Sequence, residues 1–124
     1  MKIKEIKEDK IIFDNGYELE HYHEQDCCEH VYADFEILKD YNVSTKTGKT
    51  INIKEIDFRE SLVELIDGVK GQGFNMLSKI EEKFFVPCYN EQNGYYSSDL
   101  RLILHKEKGK EIMDISDCVE DDIY

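Results

Sequence analysis

The chain has 124 residues and a formal net charge of -12, because its 28 acidic residues outnumber its 16 basic ones. This length predicts one compact domain, residues 1–124, with room for a single core. The charge argues against duplex DNA as a partner, since binding to its phosphates takes clustered Lys and Arg. Any anionic ligand must therefore meet a local positive site.

The sequence contains no recognisable targeting or membrane segment. It begins MKIKEIKEDK, without an apolar signal region, and no apolar run approaches the roughly 20 residues that a membrane span needs. We therefore expect a soluble, intracellular protein with no membrane partner. In that compartment cysteines are expected to be reduced, since cytosolic redox buffers prevent their pairing. The four cysteines are Cys27, Cys28, Cys88 and Cys118.

Alternating apolar and charged residues at the start of the chain predict strands. Asn15-Gly16 tolerates the positive φ of a two-residue hairpin turn between two of them. Alternation along the strand after this turn places His21 and His23 on one face and Tyr22 on the other. The predicted strands lie near residues 2–7, 10–14 and 17–24.

The middle of the chain predicts helical segments. Spacings of three and four between Val31 and Leu38 indicate a short helix or turn-rich segment ending near Asn42. After a short strand in INIKEI, Asp57 followed three residues later by Glu60 is typical of a helix N-terminus. The apolar stripe of this predicted helix consists of Leu62, Leu65, Ile66 and Val69.

Three glycines lie at the end of that stripe and just after it, in the segment GVKGQGF. A glycine-rich turn can cradle phosphate, but no order of strand, glycine loop and helix supports a nucleotide fingerprint here. We therefore expect Gly68 to end the helix and a flexible turn to follow it.

The last third predicts strands in GFNML, KFFVPCYN, SDLRLILHK and KEIMDIS, with a turn at Lys108-Gly109 between the last two. The order of strands, helices and strands again favours an α+β fold over a parallel arrangement. We predict mainly antiparallel β-sheet packed against one or two short helices.

The segment HYHEQDCCEH concentrates histidines and cysteines. His21 and His23, two apart on a strand, have a workable geometry for binding one zinc ion. Cys27 and Cys28 are adjacent, however, so their thiols diverge, and the chain has no Cys-x-x-Cys pair. Without nearby cations a redox role is disfavoured as well. A structural role is the favoured interpretation, ahead of a polar wall of a ligand site, and no metal is expected.

The segment FFVPCYNEQNGYYSSDLRL carries aromatic, amide, hydroxyl, carboxylate and arginine side chains. A nucleotide needs a flat aromatic face, partners for its base and ribose, and an arginine for its phosphates. A long hairpin turning at Asn93-Gly94, with Asp99 and Arg101 as a surface pair, explains the same residues. Because a nucleophile with its base is missing, the functional interpretation is binding rather than catalysis, and no enzyme is expected.

In these segments the sequence resembles the small phage anti-Thoeris proteins that act as molecular sponges, the first-described sequestering family. The resemblance rests on the overall length and on three segments taken in order. They are IIFDNGYELEHYHEQDCCE, LVELIDGVKGQGFNML and FFVPCYNEQNGYYSSDLRLIL.

The resemblance implies binding of cyclic ADP-ribose derivatives, the glycocyclic ADP-ribose isomers made by bacterial TIR-domain enzymes, without cleavage. Sequestration of this signal would prevent activation of the Thoeris effector in the cytoplasm of the infected bacterial host. It also implies capture of cyclic oligonucleotides in a separate pocket, no cofactor, and dimers that associate into hexamers with pockets at subunit junctions.

For the cyclic ADP-ribose pocket, the resemblance leads us to expect stacking faces, an amide partner, a ribose acceptor and a phosphate clamp. Arg59, at the predicted helix start, is the candidate for a second phosphate site, because backbone N–H groups there favour anions. The residues expected in the first pocket are Phe84, Asn93, Tyr95, Tyr96, Asp99 and Arg101.

Three other functions fit parts of the sequence. An acidic DNA mimic that inhibits a host nucleic-acid-binding enzyme accords with the charge, although acids here alternate with lysines rather than forming rows. A small metalloenzyme would use His21 and His23. A structural or interaction module would have no small ligand.

Overall fold

The computed structural model describes residues 1–22, 31–44, 48–70, 73–90, 100–115 and 119–120. These residues form an α+β fold that is mostly antiparallel β-sheet with one short α-helix, which confirms the predicted fold class. No helix in this part of the chain is long and apolar enough to cross a membrane.

The strands are β1 (Ile3–Ile6), β2 (Lys10–Phe13), β3 (Glu18–Tyr22), β4 (Val31–Ala33), β5 (Asn42–Ser44), β6 (Thr50–Asn52), β7 (Ile66–Lys70), β8 (Gly73–Leu77), β9 (Lys83–Asn90), β10 (Leu100–Lys106), β11 (Gly109–Ile115) and β12 (Val119–Glu120). The helix α1 spans Leu62–Leu65, and two 3-10 helices span Phe35–Leu38 and Ile53–Glu55.

The first sheet has the strand order β1-β2-β3-β10-β11, and all its pairs are antiparallel. Its first three strands lie where the alternating pattern predicts them. Gly16, with a φ of 89°, occupies the predicted turn between β2 and β3, where a residue without a Cβ adopts positive φ without strain.

The second sheet has the order β12-β9-β8-β7, and β4 also pairs with β9. Its pairs are antiparallel except for that of β12 with β9. A separate two-stranded sheet joins β5 and β6. The four strands predicted in the last third of the sequence correspond to β8, β9, β10 and β11.

One hydrophobic core lies between the inner faces of the two larger sheets. Phe58 is fully buried, and its ring centroid lies 6.3 Å from that of Phe13 on β2 and 5.5 Å from that of Phe84 on β9. Phe35, in the first 3-10 helix, lies 6.5 Å from Phe74 on β8. Each fully buried phenylalanine contributes roughly 1.5–3 kcal/mol. The rings of Phe58 and Phe35 belong to neither of the larger sheets, and they therefore fill the core between the two.

The helix predicted from Asp57 to Gly68 is wrong in its extent. Only the turn Leu62–Leu65 is helical, and the chain continues at once as strand β7. Ile66 of β7 pairs with Met76 of β8, so sheet pairing overrides a helical spacing in this segment. Gly68 therefore lies within a strand rather than at a helix end, with a φ of 87°.

Glu111 on β11 connects the helix to the first sheet. Its carboxylate accepts a hydrogen bond from the Leu62 backbone N–H, with an oxygen-to-nitrogen distance of 2.5 Å, and forms an ion pair with Lys106. Burial acts to raise the pKa of this carboxyl, but the hydrogen bonds from Lys106 and Leu62 outweigh it. The Glu111 pKa therefore lies below its ordinary value of 4.5.

Replacing Gly73 with alanine is expected to destabilise the protein by about 2–3 kcal/mol. Gly73 has a φ of 145°, and a Cβ there would lie 2.1 Å from the Val86 carbonyl oxygen. Gly109→Ala is the matched control, because its φ of 109° is also positive but no atom lies within 4 Å of the added Cβ. Urea unfolding of both variants measures the difference, and equal losses would contradict the close contact between β8 and β9.

Glu111→Gln is expected to lower the free energy of unfolding at pH 7 by about 1 kcal/mol. Because folding lowers the pKa of Glu111, its charge stabilises the protein above the unfolded-state pKa. This contribution is lost as the pH falls through the folded-state pKa. The stability difference between wild type and variant should therefore shrink below pH 4.5. Unfolding curves at several pH values test this, with exposed Glu107→Gln as control; a difference that persists in acid would contradict it.

Candidate functional site

Three of the seven predicted ligand-binding residues lie in the described part of the chain: Phe84, Arg101 and Arg59. Phe84 lies in the core, Arg101 on the outer face of the first sheet, and Arg59 beside the turn after β8. The other four lie outside the described residues and stay predictions. They are Asn93, Tyr95, Tyr96 and Asp99.

Phe84 is a core residue and presents no surface for stacking. Its side chain is fully buried, and its ring packs edge-on against Tyr41 at 5.6 Å and against Phe58 at 5.5 Å between centroids. A base cannot reach a ring enclosed in this way. Phe84 therefore cannot provide the stacking face that was expected of it.

The neighbouring positions on β9 face outward instead. Successive strand residues point to opposite faces, so Phe85, Pro87 and Tyr89 share the outer face of the second sheet while Phe84 points inward. Phe85 is 37% exposed. Tyr89 lies opposite Tyr32 of β4, with ring centroids 5.5 Å apart. This outer face offers the aromatic surface that the sequence pattern indicates for the segment.

Arg101 lies on the outer face of the first sheet, in one cross-strand row with Tyr22 and Asp114. It pairs with Tyr22 of β3 on one side and with Asp114 of β11 on the other. The Arg101 Nε donates to an Asp114 carboxylate oxygen at 3.2 Å, and about half of each of the Arg101 and Tyr22 side chains is exposed. We call these three residues the arginine row.

Beyond the arginine row, several polar and charged side chains of this outer face are paired. His105 Nε2 lies 2.9 Å from a Glu20 carboxylate oxygen, and Lys10 lies 2.9 Å from Glu18. The hydrogen bond and charge of Glu18 raise the pKa of Lys10. Arg101 is paired as well, but its guanidinium stays cationic at any physiological pH and has N–H donors besides the Nε that contacts Asp114.

The arginine row lies at one end of the first sheet, since Tyr22 is the last residue of β3 and Arg101 is the second residue of β10. In the second sheet, β4 and β12 both pair with the last residues of β9. In addition, β4 contacts β3 and β10.

Arg59 does not lie at a helix start. The helix begins three residues later, at Leu62, and the Arg59 backbone N–H donates to the Leu77 carbonyl oxygen at 3.4 Å. Its guanidinium forms an ion pair with Glu81, while its buried Nε has no hydrogen-bond partner among the described residues. The prediction that Arg59 lies at a helix start is therefore wrong, while its role as a second phosphate site stays a prediction.

His21 faces the core side of the first sheet. Its ring lies 5.0 Å from that of Phe35, and its Nε2 lies 3.0 Å from the Glu8 carbonyl oxygen. His23, Cys27 and Cys28 lie outside the described residues. In the part of the chain that is described, no group of three or more His, Cys, Asp and Glu side chains is arranged to hold a metal ion.

Two tyrosines of this region were not among the predicted site residues. The alternating pattern of β3 places Tyr22 on the strand face that it occupies in the structure. Its pairing with Arg101 depends on the register between two strands far apart in the sequence. Tyr32 falls in the segment predicted to be a short helix or turn-rich, so the sequence pattern did not indicate that it pairs with Tyr89 in a strand.

Comparison with protein-family models matches residues 1–102 to a domain of unknown function (DUF7448). The comparisons with curated proteins and with solved structures found no match.

Phe84→Leu is expected to lower the free energy of unfolding by about 1–2 kcal/mol, because it leaves a cavity beside Phe58 and Tyr41. Phe85→Leu, the matched control on the outer face, should cost less than about 0.5 kcal/mol. Urea unfolding measures both losses, and the slope of the free energy of unfolding against urea concentration should be the same in both variants. Equal losses would contradict the opposite orientations of these neighbouring side chains.

Proposed function

Since this chain belongs to the DUF7448 family, a domain of unknown function, we propose its function from its own residues and from the resemblance described above. The protein binds and sequesters a cyclic ADP-ribose-type signalling nucleotide without cleaving it. In this role it is a phage anti-defence protein that acts in the cytoplasm of the infected bacterial host and blocks activation of the Thoeris effector.

The observation that supports this proposal is the arginine row. An arginine grips two phosphate oxygens through its planar fork, and Arg101 has a half-exposed aromatic ring beside it in Tyr22. An exposed ion pair contributes only about 0–1 kcal/mol. Exchanging Asp114 for a pyrophosphate oxygen therefore costs Arg101 little, while an adenine ring stacks on Tyr22.

Residues that precede β10 in the sequence supply the remaining contacts in this proposal. Asn93 is the amide partner of the base, Tyr95 and Tyr96 are further stacking faces, and Asp99 accepts from a ribose hydroxyl. These four residues belong to the segment that joins β9 to β10, directly before Arg101. Tyr89 and Tyr32, at the end of the second sheet, add aromatic surface on the other side.

Useful sequestration requires micromolar to nanomolar affinity, which corresponds to roughly 8–12 kcal/mol. Stacking contributes about 1–3 kcal/mol per base, and a hydrogen bond to a charged group about 1.5–3 kcal/mol. One exposed arginine and one ring do not reach this range. We therefore propose that the protein binds the ligand as the expected dimer or hexamer, in which a second subunit encloses the ligand.

The arrangement of charges favours this proposal over a DNA mimic. A mimic needs uncompensated rows of carboxylates, but several acids on the outer faces of both sheets are paired with basic side chains. Lys10 lies 2.9 Å from Glu18, and Lys83 lies 2.8 Å from Asp67.

Arg101→Ala is expected to weaken capture of the ligand by about tenfold or more, because it removes the phosphate clamp. The measurement is ligand depletion: the protein is incubated with a TIR-produced cyclic ADP-ribose derivative and filtered. It is then heated, and the released ligand is analysed by chromatography. Wild type should remove the ligand from the filtrate and release it intact.

Lys108→Ala is the matched control, because it removes one positive charge at the opposite end of β10 and should leave capture unchanged. Tyr22→Phe should retain capture and Tyr22→Ala should weaken it, since stacking needs the ring but not the hydroxyl. Degraded ligand would make the protein an enzyme. Ligand that stays in the filtrate with wild-type protein would reject the proposed function, and unchanged capture by Arg101→Ala would reject the site.

A further inference from the structure

A second, separate feature is a shallow pocket of about 270 Å³ beside the edge strand β1. Three lysines from three different elements line it, so its lining is net positive in a chain whose net charge is -12. We call it the lysine pocket. Its lining residues are Lys4, Glu5, Ile6, Lys39 and Lys54.

The fold brings these lysines together by packing both 3-10 helices against β1. Lys4 belongs to β1, Lys39 directly follows the first 3-10 helix, and Lys54 lies in the second. The second helix is held by a capping box, in which the Lys54 backbone N–H donates to the Asn52 side chain at 3.0 Å. The backbone that carries Lys54 is therefore fixed in place.

The lysine pocket has an excess of positive charge, because its lining holds three lysines and one glutamate, Glu5. A concave surface with such an excess focuses its field and attracts anions. Lys39 has an exposed partner in Glu36 at 3.2 Å, whereas Lys4 and Lys54 form no ion pair with a described residue. Elsewhere in the chain, lysines such as Lys10 and Lys83 lie within 3 Å of a carboxylate.

We propose that the lysine pocket binds a small phosphate-bearing anion, with the diphosphate group as the recognised chemistry. Three ammonium groups supply up to nine N–H donors, which suits an ion with many acceptor oxygens and more than one negative charge. The volume lies just below the roughly 300–1,000 Å³ of common ligand pockets. A diphosphate fits this space, and a cyclic oligonucleotide is too large for it.

This site is distinct from the arginine row and goes beyond the proposed function. On the first sheet, β1 is separated from β10 by β2 and β3, which places the two strands about 14 Å apart at the usual spacing of about 4.8 Å. The two sites can therefore be tested, and can fail, separately.

The test is calorimetric titration of the full chain with inorganic pyrophosphate at low and at physiological ionic strength. The Lys4→Gln, Lys54→Gln double variant should bind about tenfold more weakly than wild type, because it removes two of the three charges. Lys108→Gln together with Lys110→Gln removes two exposed charges outside the pocket and should bind like wild type. Arg101→Ala should keep the pyrophosphate binding that depends on Lys4 and Lys54, which separates this site from the nucleotide site.

Glu5→Gln provides a variant with the opposite effect. It removes the carboxylate of the pocket lining and should tighten binding by about threefold, whereas Glu107→Gln, which makes the same change of net charge in a distant turn, should not. A parallel titration with ADP distinguishes the source of the diphosphate. Equal affinities indicate recognition of the diphosphate alone, and tighter binding of ADP indicates a nucleotide; both support the site.

Three results would overturn the proposal. One is the absence of pyrophosphate binding by wild type, and another is unchanged binding by the double lysine variant. The third is an equal effect of the pocket and control variants, which would indicate only a response to net charge. Urea unfolding of each variant verifies that it is folded, since these exposed substitutions should leave the midpoint nearly unchanged.

Discussion

Two phenylalanines from outside the main sheets, Phe35 and Phe58, determine how the rest of the structure is arranged. Phe58 packs between Phe13 of the first sheet and Phe84 of the second, and Phe35 reaches Phe74 of the second sheet and His21 of the first. Burial of these rings requires each sheet to direct its apolar face toward the other. Since side chains alternate along a strand, the direction of the apolar faces also determines which strand residues face solvent.

The outer faces carry the chemistry that remains available for binding. On the first sheet they combine the arginine row with paired polar side chains such as His105 and Glu20. On the second sheet they present aromatic side chains, among them Phe85 and Tyr89. Because β4 pairs with the aromatic end of β9 and also contacts β3 and β10, the arginine row and the aromatic end of β9 are brought toward the same region. The proposed nucleotide site follows from this convergence, and the lysine pocket lies apart from it at the β1 edge.

Local patterns predicted the fold class, the strands of the first sheet, and β8 and β9, because alternation and turn residues act over a few neighbouring positions. They failed in the segment after Asp57, where apolar spacings of three and four suit both a helix and a chain that changes from one helical turn to a strand. Pairing with β8 decides that outcome. They also failed at Phe84 and Phe85, since two adjacent aromatic residues do not reveal which one faces the core.

By itself, the sequence determined the alternation of the strands, the hairpin turns, the acidic charge and the presence of an aromatic and arginine-containing segment. Only the tertiary structure decided that Tyr22 and Asp114 flank Arg101, that Phe84 is buried, that Arg59 pairs with Glu81 and that three lysines share one pocket. The physical reason is that these contacts join segments far apart along the chain. Their register is set by burial of the shared core, which local propensity does not encode.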